Sequence, residues 1–328
     1  MLLDAAPVPS PDDSVRDAAS VASTGTGMGR LSDLGSWVSA CQGAVPPQPL
    51  QRCRVVIVAG DHGVAQRGMS VLPPGHSVER AVAIERGDGA VNVLARAAGA
   101  SVRLVDVSLD HEAWGEERVG RSSGAVDVED AMDPGQYARA VEIGRRVADQ
   151  EIDSGADLLL PGDLGVGNTT VAAAVLGAFT GTEPVAVVGP GSGTTDELWK
   201  IKVEAIRDAM FRVRGLSDEP EEILRRIGSP DLVALVAFIA QAAARRTPML
   251  LDGAPVAVAA YLAERFAPGT RAWCQAGQLT PEPAHLIALQ ALELTPLVAL
   301  DMNAGQGTGA LAALPLVQVA AQLLADQA

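Results

Sequence analysis

The chain has 328 residues, 48% hydrophobic and only 3% aromatic, with 40 acidic against 25 basic side chains and a net charge of −15. An acidic surface does not neutralise phosphodiesters, and few rings remain to stack bases, so a general nucleic-acid binder is excluded. The apolar content excludes a disordered chain, and at roughly 150 residues per domain the length predicts one large or two modest domains.

The opening segment to about Ser23 is polar and contains Pro7, Pro9 and Pro11. It does not read as a signal peptide, because Met1 leads into a Pro-rich acidic stretch instead of a basic and then apolar one. Residues 30–41 have the pattern of a short amphipathic helix, followed by a Pro-rich turn at 46–49. From there short β-branched runs bounded by glycine alternate with longer Ala-rich segments. The predicted strands cover 54–59, 102–107, 157–160, 184–188, 248–251 and 272–275. The predicted helices cover 78–97, 134–154, 169–179, 196–212, 231–246, 254–266 and 281–292, with a last one from 310 to the end. Continuous apolar strands suit a parallel sheet covered on both faces. The expected class is therefore α/β, doubly wound. The longest apolar runs, 171–179 and 232–240, fall short of the roughly 18–20 residues of a membrane span, so no membrane partner is expected. Three unclustered cysteines, Cys41, Cys53 and Cys274, form neither a disulfide framework nor a thiolate metal site and fit a reducing cytoplasm.

Glycines collect where the predicted strands end, the edge at which α/β sheets hold ligands. The first cluster runs from Pro161 through Gly162, Asp163, Leu164, Gly165, Val166, Gly167 and Asn168 to Thr169 and Thr170. Converging amides and a helix N-terminus there favour an anion. The spacing from Gly162 to Gly167 imitates a Walker loop, but Asn168 stands where its lysine belongs, so a nucleoside triphosphate is disfavoured. A monophosphate remains open, as does a tight strand–helix turn capped by Asn and Thr. A second cluster, Gly189-Pro190-Gly191-Ser192-Gly193-Thr194, lacks the last glycine of a dinucleotide fingerprint. Just beyond it lie Lys200 and Lys202, the only lysines of the chain; Lys202 is either solvated or a counter-charge for phosphate. A third cluster, Gly305-Gln306-Gly307-Thr308-Gly309, opens the last helix. Three such loops together suggest a ribose-phosphate pocket.

His62, in Ala59-Gly60-Asp61-His62-Gly63, closes the first predicted strand and is either an oriented site residue or a structural one. His285 reads as a helix-terminus residue. No His, Cys or Glu pair stands at zinc-ligand spacing, so neither a metal nor a cofactor is expected.

Four stretches together resemble a known family: Val58 to Val64, Gly162 to Thr170, Leu251-Asp252-Gly253 and Gly305 to Ala310. In order and spacing, from about Gly27 to the C-terminus, the chain is similar to nicotinate-nucleotide–dimethylbenzimidazole phosphoribosyltransferases. The resemblance implies a homodimer, with residues 1–45 and 301–328 contributing a smaller helical domain and 46–300 the α/β domain. It implies transfer of phosphoribosyl from nicotinate mononucleotide to 5,6-dimethylbenzimidazole or a related azole. It also implies a phosphate and ribose site at Gly165, Val166, Gly167, Asn168, Thr169, Thr170, Gly191, Gly193, Lys202 and Gly307. The implied base pocket holds His62, Leu72, Ser77 and Arg80.

The family's proton acceptor is a glutamate in R-L-G-E-G-[TS]-G, where this chain reads Asn303-Ala304-Gly305-Gln306-Gly307-Thr308-Gly309. The family's T-x-Q appears as Ser77-Val78-Glu79, and the lysine of its K-P-x-G-[SA]-L-G motif is absent. Gln306 cannot accept a proton, so the base role passes to Asp163, which matches the family's second active-site carboxylate, or to Glu79. The rival expectation is a catalytically silent homologue that binds nucleotide or base as a sensor or partner subunit.

Overall fold

The computed structural model describes residues 7–73, 75–112 and 115–327. Residues 1–6, the start of the polar opening segment, and Ala328, the end of the last predicted helix, lie outside the described residues. Two helices come first, α1 (Asp13–Ala22) and α2 (Arg30–Gln42), then β1 (Cys53–Gly60), α3 (His76–Glu85) and α4 (Ala90–Ala98). Next come β2 (Ser101–Ser108), α5 (Pro134–Asp153), β3 (Leu158–Leu164) and α6 (Asn168–Thr180). Four helices follow before the sheet resumes: α7 (Pro184–Val187), α8 (Asp196–Arg212), α9 (Pro220–Ile227) and α10 (Pro230–Ala244). The chain then forms β4 (Met249–Leu251), α11 (Ala254–Phe266), β5 (Cys274–Ala276), α12 (Pro283–Ala291) and α13 (Thr308–Gln327).

The five strands form one sheet in the order β2-β1-β3-β4-β5, and every pair is parallel. Side chains alternate across a strand, so successive apolar residues of β1 feed two different cores. Val56 and Val58 join the core made with α5, α6, α10 and α11. Val55, Ile57 and Ala59 join the core made with α2, α4 and α13. This is the doubly wound α/β class that the continuous apolar strands predict. From β1 the chain winds one way to β2, and from β3 it winds the other way. The crevice at the carboxyl ends of β1 and β3 is therefore the topological switch point.

Several elements depart from the sequence reading. The predicted strand at 184–188 is the single-turn helix α7, opened by Pro184. Proline lacks the N–H that a central strand needs and is preset for a first helical position, so the sheet has five strands instead of six. The predicted helix 78–97 is two helices, broken where Gly87 adopts φ 82° and Gly89 caps the second. β3 runs four residues past its predicted end, through Pro161, Gly162 and Asp163, which pair with Val56, Ile57 and Val58. Neither α1, capped by Asp12, nor α9 is anticipated by the periodicity. Finally, the stretch Thr308–Asp326 is long and apolar enough to cross a membrane by composition, contrary to the run-length reading. Ala310, Leu311, Leu314, Val317 and Ala321 are nevertheless buried with the sheet and α2, so α13 is built as a core helix.

Candidate active site at the switch point

A cleft opens at the carboxyl end of β3, the edge at which α/β sheets hold ligands. Its floor is the stretch Asp163–Thr170, and its sides come from the 191–193 and 303–305 loops, the start of α3 and the start of α11.

The floor is clamped from both sides at one residue. The amide of Val166 donates to Ser77 Oγ at 3.0 Å, and its carbonyl lies 3.0 Å from His62 Nδ1. His62 is buried and its Nε2 lies 3.3 Å from Asp231 Oδ1. Burial pushes the imidazole pKa down, but Asp231, the Val166 carbonyl and Asp61 outweigh it and leave the net shift upward. Gly165 has no room for a side chain, since a Cβ would stand 2.0 Å from the Gly60 carbonyl oxygen. The loop then turns into α6 through Gly167 at φ 97°. The Thr169 amide donates to Asn168 Oδ1, whereas the amides of Gly167 and Asn168 have no acceptor among the described residues. Two free amides at the start of a 13-residue helix favour an anion.

Asp163 stands at the end of β3, 2% exposed, and lines the cleft. Its Oδ2 accepts from Asn168 Nδ2 at 2.5 Å, while Oδ1 has no partner among the described residues. Burial, then repulsion from Asp252 and Asp231, raises its pKa to about 7, against the pull of Asn168 and His62. A carboxyl so poised is half ionised near neutral pH and suits proton transfer.

The second glycine cluster follows α7, not a strand, and lies across the cleft. Its Gly191 amide donates to Glu282 Oε1 at 2.6 Å, and Asn303 Nδ2 donates to the Gly191 carbonyl at 2.6 Å and to Glu282 at 2.9 Å. Lys202 is buried and donates to the Gly189 carbonyl at 3.1 Å. Burial lowers its pKa, opposed by Glu282. A Cβ at Gly191 would sit 2.6 Å from Lys202 Nζ and 3.5 Å from Thr169 Oγ1. That bare backbone lets the ammonium approach the start of α6.

The third cluster is used differently from the other two. The amides of Gly307, Gly309 and Ala310 all donate to the carboxylate of Asp252, so the chain's own side chain occupies the N-terminus of α13. Gly307 is not on the cleft wall. Gln306 is buried, and its amide donates to the Asp163 carbonyl at 2.9 Å. Its Nε2 has no acceptor among the described residues. The turn sits close against β3 because residue 162 is glycine: a Cβ there would stand 2.6 Å from the Gln306 carbonyl carbon.

Of the residues singled out in sequence, Leu72, Ser77, Arg80, Asp163, Gly165–Thr170, Gly191, Gly193 and Lys202 come together on this cleft. His62 lies beneath the floor, against Asp231. Glu79 is exposed, 3.6 Å from His76, and is not on the cleft wall. His285 is buried, its Nδ1 accepting from the Thr280 amide at 3.1 Å, and burial pushes its pKa down to about 4. Asp231 and Glu282 escaped notice as site residues: each follows a proline-marked helix start and reads as an ordinary N-terminal acid. Asp252 carried only the Leu-Asp-Gly signal. Among the described residues, no three His, Cys, Asp or Glu side chains are grouped to hold a metal ion.

The chain is similar to known proteins along almost its whole length. The phosphoribosyltransferase family model DBI_PRT matches residues 10–328. A nicotinate-nucleotide–dimethylbenzimidazole phosphoribosyltransferase of Corynebacterium glutamicum is 58% identical over 299 residues, covering 91% of this chain and 84% of that protein. One of the same name from Corynebacterium efficiens is 60% identical over 299 residues, covering 91% and 81%. The crystal structure of CobT from Thermus thermophilus superposes with a TM-score of 0.90 at 36% identity, covering 95% of this chain and 96% of that one.

Proposed function

The chain belongs to the nicotinate-nucleotide–dimethylbenzimidazole phosphoribosyltransferase family, and from that premise we propose how its cleft performs the transfer. The enzyme moves the phosphoribosyl group of nicotinate mononucleotide to 5,6-dimethylbenzimidazole or a related azole. The products are α-ribazole 5′-phosphate, the lower-ligand precursor of cobalamin, and nicotinate. The C1′ bond to the pyridinium nitrogen breaks as one azole nitrogen bonds to C1′, and the proton on the other azole nitrogen must leave. The departing ring is already cationic, so its leaving needs no protonation. What the protein supplies is a phosphate anchor, a fixed approach and a base.

The free Oδ1 of Asp163, on a carboxyl with a pKa of about 7, is the observation that carries this reading. A base tuned near the working pH contributes roughly 10²–10⁴ in rate. Gln306, at the family's glutamate position, cannot serve, and Glu79 is exposed away from the cleft. The phosphate is assigned to the amides of Gly167 and Asn168, with Thr169 and the Lys202 ammonium beside them. His62 and Ser77 act on it indirectly, by holding Val166. A silent binding homologue is not favoured, since relatives 58–60% identical are named as the enzyme. The homodimer and the smaller helical domain of 1–45 and 301–328 rest on the family resemblance, and the cytoplasmic location on the three unclustered cysteines.

The test is a product assay with nicotinate mononucleotide and dimethylbenzimidazole, in the natural protein and in Asp163→Asn. We expect α-ribazole phosphate from the first and a loss of roughly 10²–10⁴ in the second. Equal rates in the two would remove Asp163 as base. Binding of nicotinate mononucleotide without turnover in the natural protein would restore the silent homologue.

A further inference from the structure

Asp252 is fully buried where β4 ends, and it is not on the cleft wall. One oxygen accepts from Gln278 Nε2 at 2.9 Å and from the amides of Gly309 and Ala310 at 2.9 and 3.2 Å. The other accepts from the Gly307 amide at 2.8 Å. All four partners are donors, so the ionised carboxylate has both oxygens satisfied. Burial pushes its pKa up, and the pull of Gln278 and the three amides offsets this only in part, leaving the net shift upward.

The turn that Asp252 grips contains three consecutive left-handed residues, Gly305 at φ 66°, Gln306 at 63° and Gly307 at 79°. Glutamine does not rest there without an external hold. From the same turn the Gln306 amide donates to the Asp163 carbonyl, and a Cβ on Gly305 would lie 3.4 Å from Asp163 Oδ2. Asp252 is thus two hydrogen bonds, through the backbone amides of Gly307 and Gln306, from the backbone of the base, and the same turn adjoins the cleft wall at 303–305.

We propose that Asp252 is a positioning residue for the transfer: its carboxylate ties the end of β4 to the 305–310 turn, and through that turn fixes the 303–305 wall of the cleft against Asp163. This inference rests on the reading of Asp163 as base. Asp252 acts at the same time through its charge. Facing Asp163 are Asp252 at the end of β4, Asp231 at the start of α10, His62 beyond the end of β1, and the uncharged Asn168 of α6. Two carboxylates oppose ionisation of Asp163 and one imidazole favours it. Removing the charge at 252 therefore lets Asp163 ionise at lower pH.

The pH profile of kcat in the natural protein and in Asp252→Asn tests this, with a melting curve for each. We expect kcat to fall and the acidic limb to move to lower pH by roughly half a unit to one unit, as for loss of a nearby like charge. A purely structural role would lower kcat or stability with the limb unmoved, and that result overturns the proposal. Should Asp252→Asn not fold, Gln278→Leu removes one of the four donors and keeps the three amides. It weakens the ionised form of Asp252, so the limb should move the same way by less. If neither variant turns over, the carbon-13 shift of the Asp163 carboxyl reports the same displacement in the resting protein, and no displacement there counts against the proposal. Asp163→Asn separates the two readings. Full activity in it removes the base assignment, whereas an inactive Asp163→Asn with an unmoved limb in Asp252→Asn removes only the role of Asp252.

Discussion

Replacing Asp163 by asparagine should disable the enzyme and, at neutral pH, stabilise the fold. The carboxyl is buried, and its pKa rises from 3.8 to about 7 on folding. Because the folded value is the higher one, the native state binds a proton that the unfolded chain has already released between these two pH values. No penalty exists below about pH 4; it grows as pH rises and is complete above about pH 7. At 1.36 kcal/mol per pKa unit the full penalty is on the order of 4 kcal/mol, of which about 2–3 kcal/mol accumulates between pH 5 and pH 8. Asparagine keeps an oxygen to accept from Asn168 but leaves an amide without an acceptor, which costs about 1–3 kcal/mol at every pH. The comparison across pH removes that constant term. Urea unfolding at pH 5 and pH 8 should therefore show the natural protein losing about 2–3 kcal/mol more than Asp163→Asn over that interval. Parallel losses in the two proteins would mean that Asp163 does not titrate in this window, and the argument for it as a tuned base would go with it.

Lys202→Ala should weaken nicotinate mononucleotide binding by about 1–3 kcal/mol, while the phosphate-free riboside, already weak, should be little changed in calorimetry. Equal affinity of the natural protein for nucleotide and riboside would dismiss the phosphate assignment. Gln306→Glu should raise the rate with dimethylbenzimidazole by less than about tenfold, because Asp163 already takes the proton; a gain of roughly 10²–10⁴ would hand the base role to position 306. The His285 ring resonances should stay constant from pH 5 to pH 8, since burial holds that group neutral with a pKa near 4. A midpoint near 6.5 in a proton NMR titration would show that its enclosure is wrong.

Much of this protein is legible in its sequence, for definite physical reasons. Continuous apolar runs such as Val55–Ala59 can satisfy two faces only in a covered parallel sheet, so the fold class follows from composition and period alone. The stretch Gly162–Thr170 is legible because close backbone approach forbids side chains there, and the resulting pattern of glycines is rare enough to identify a family. Local signals fail where a distant partner decides. The apolar run around Pro184 looks like a strand, yet its proline starts a helix turn. The three glycine clusters look alike in sequence, and only folding distinguishes them. The first keeps two amides free at the start of α6. The second is held by Glu282 and Asn303 from 91 and 112 residues away along the chain. The third has its amides taken by Asp252, 55 to 58 residues away. The charge of that same aspartate, with Asp231 and burial, is what lifts Asp163 toward neutrality. A pKa depends on which charges share a low-dielectric volume, and that is set by tertiary packing, not by neighbours along the chain.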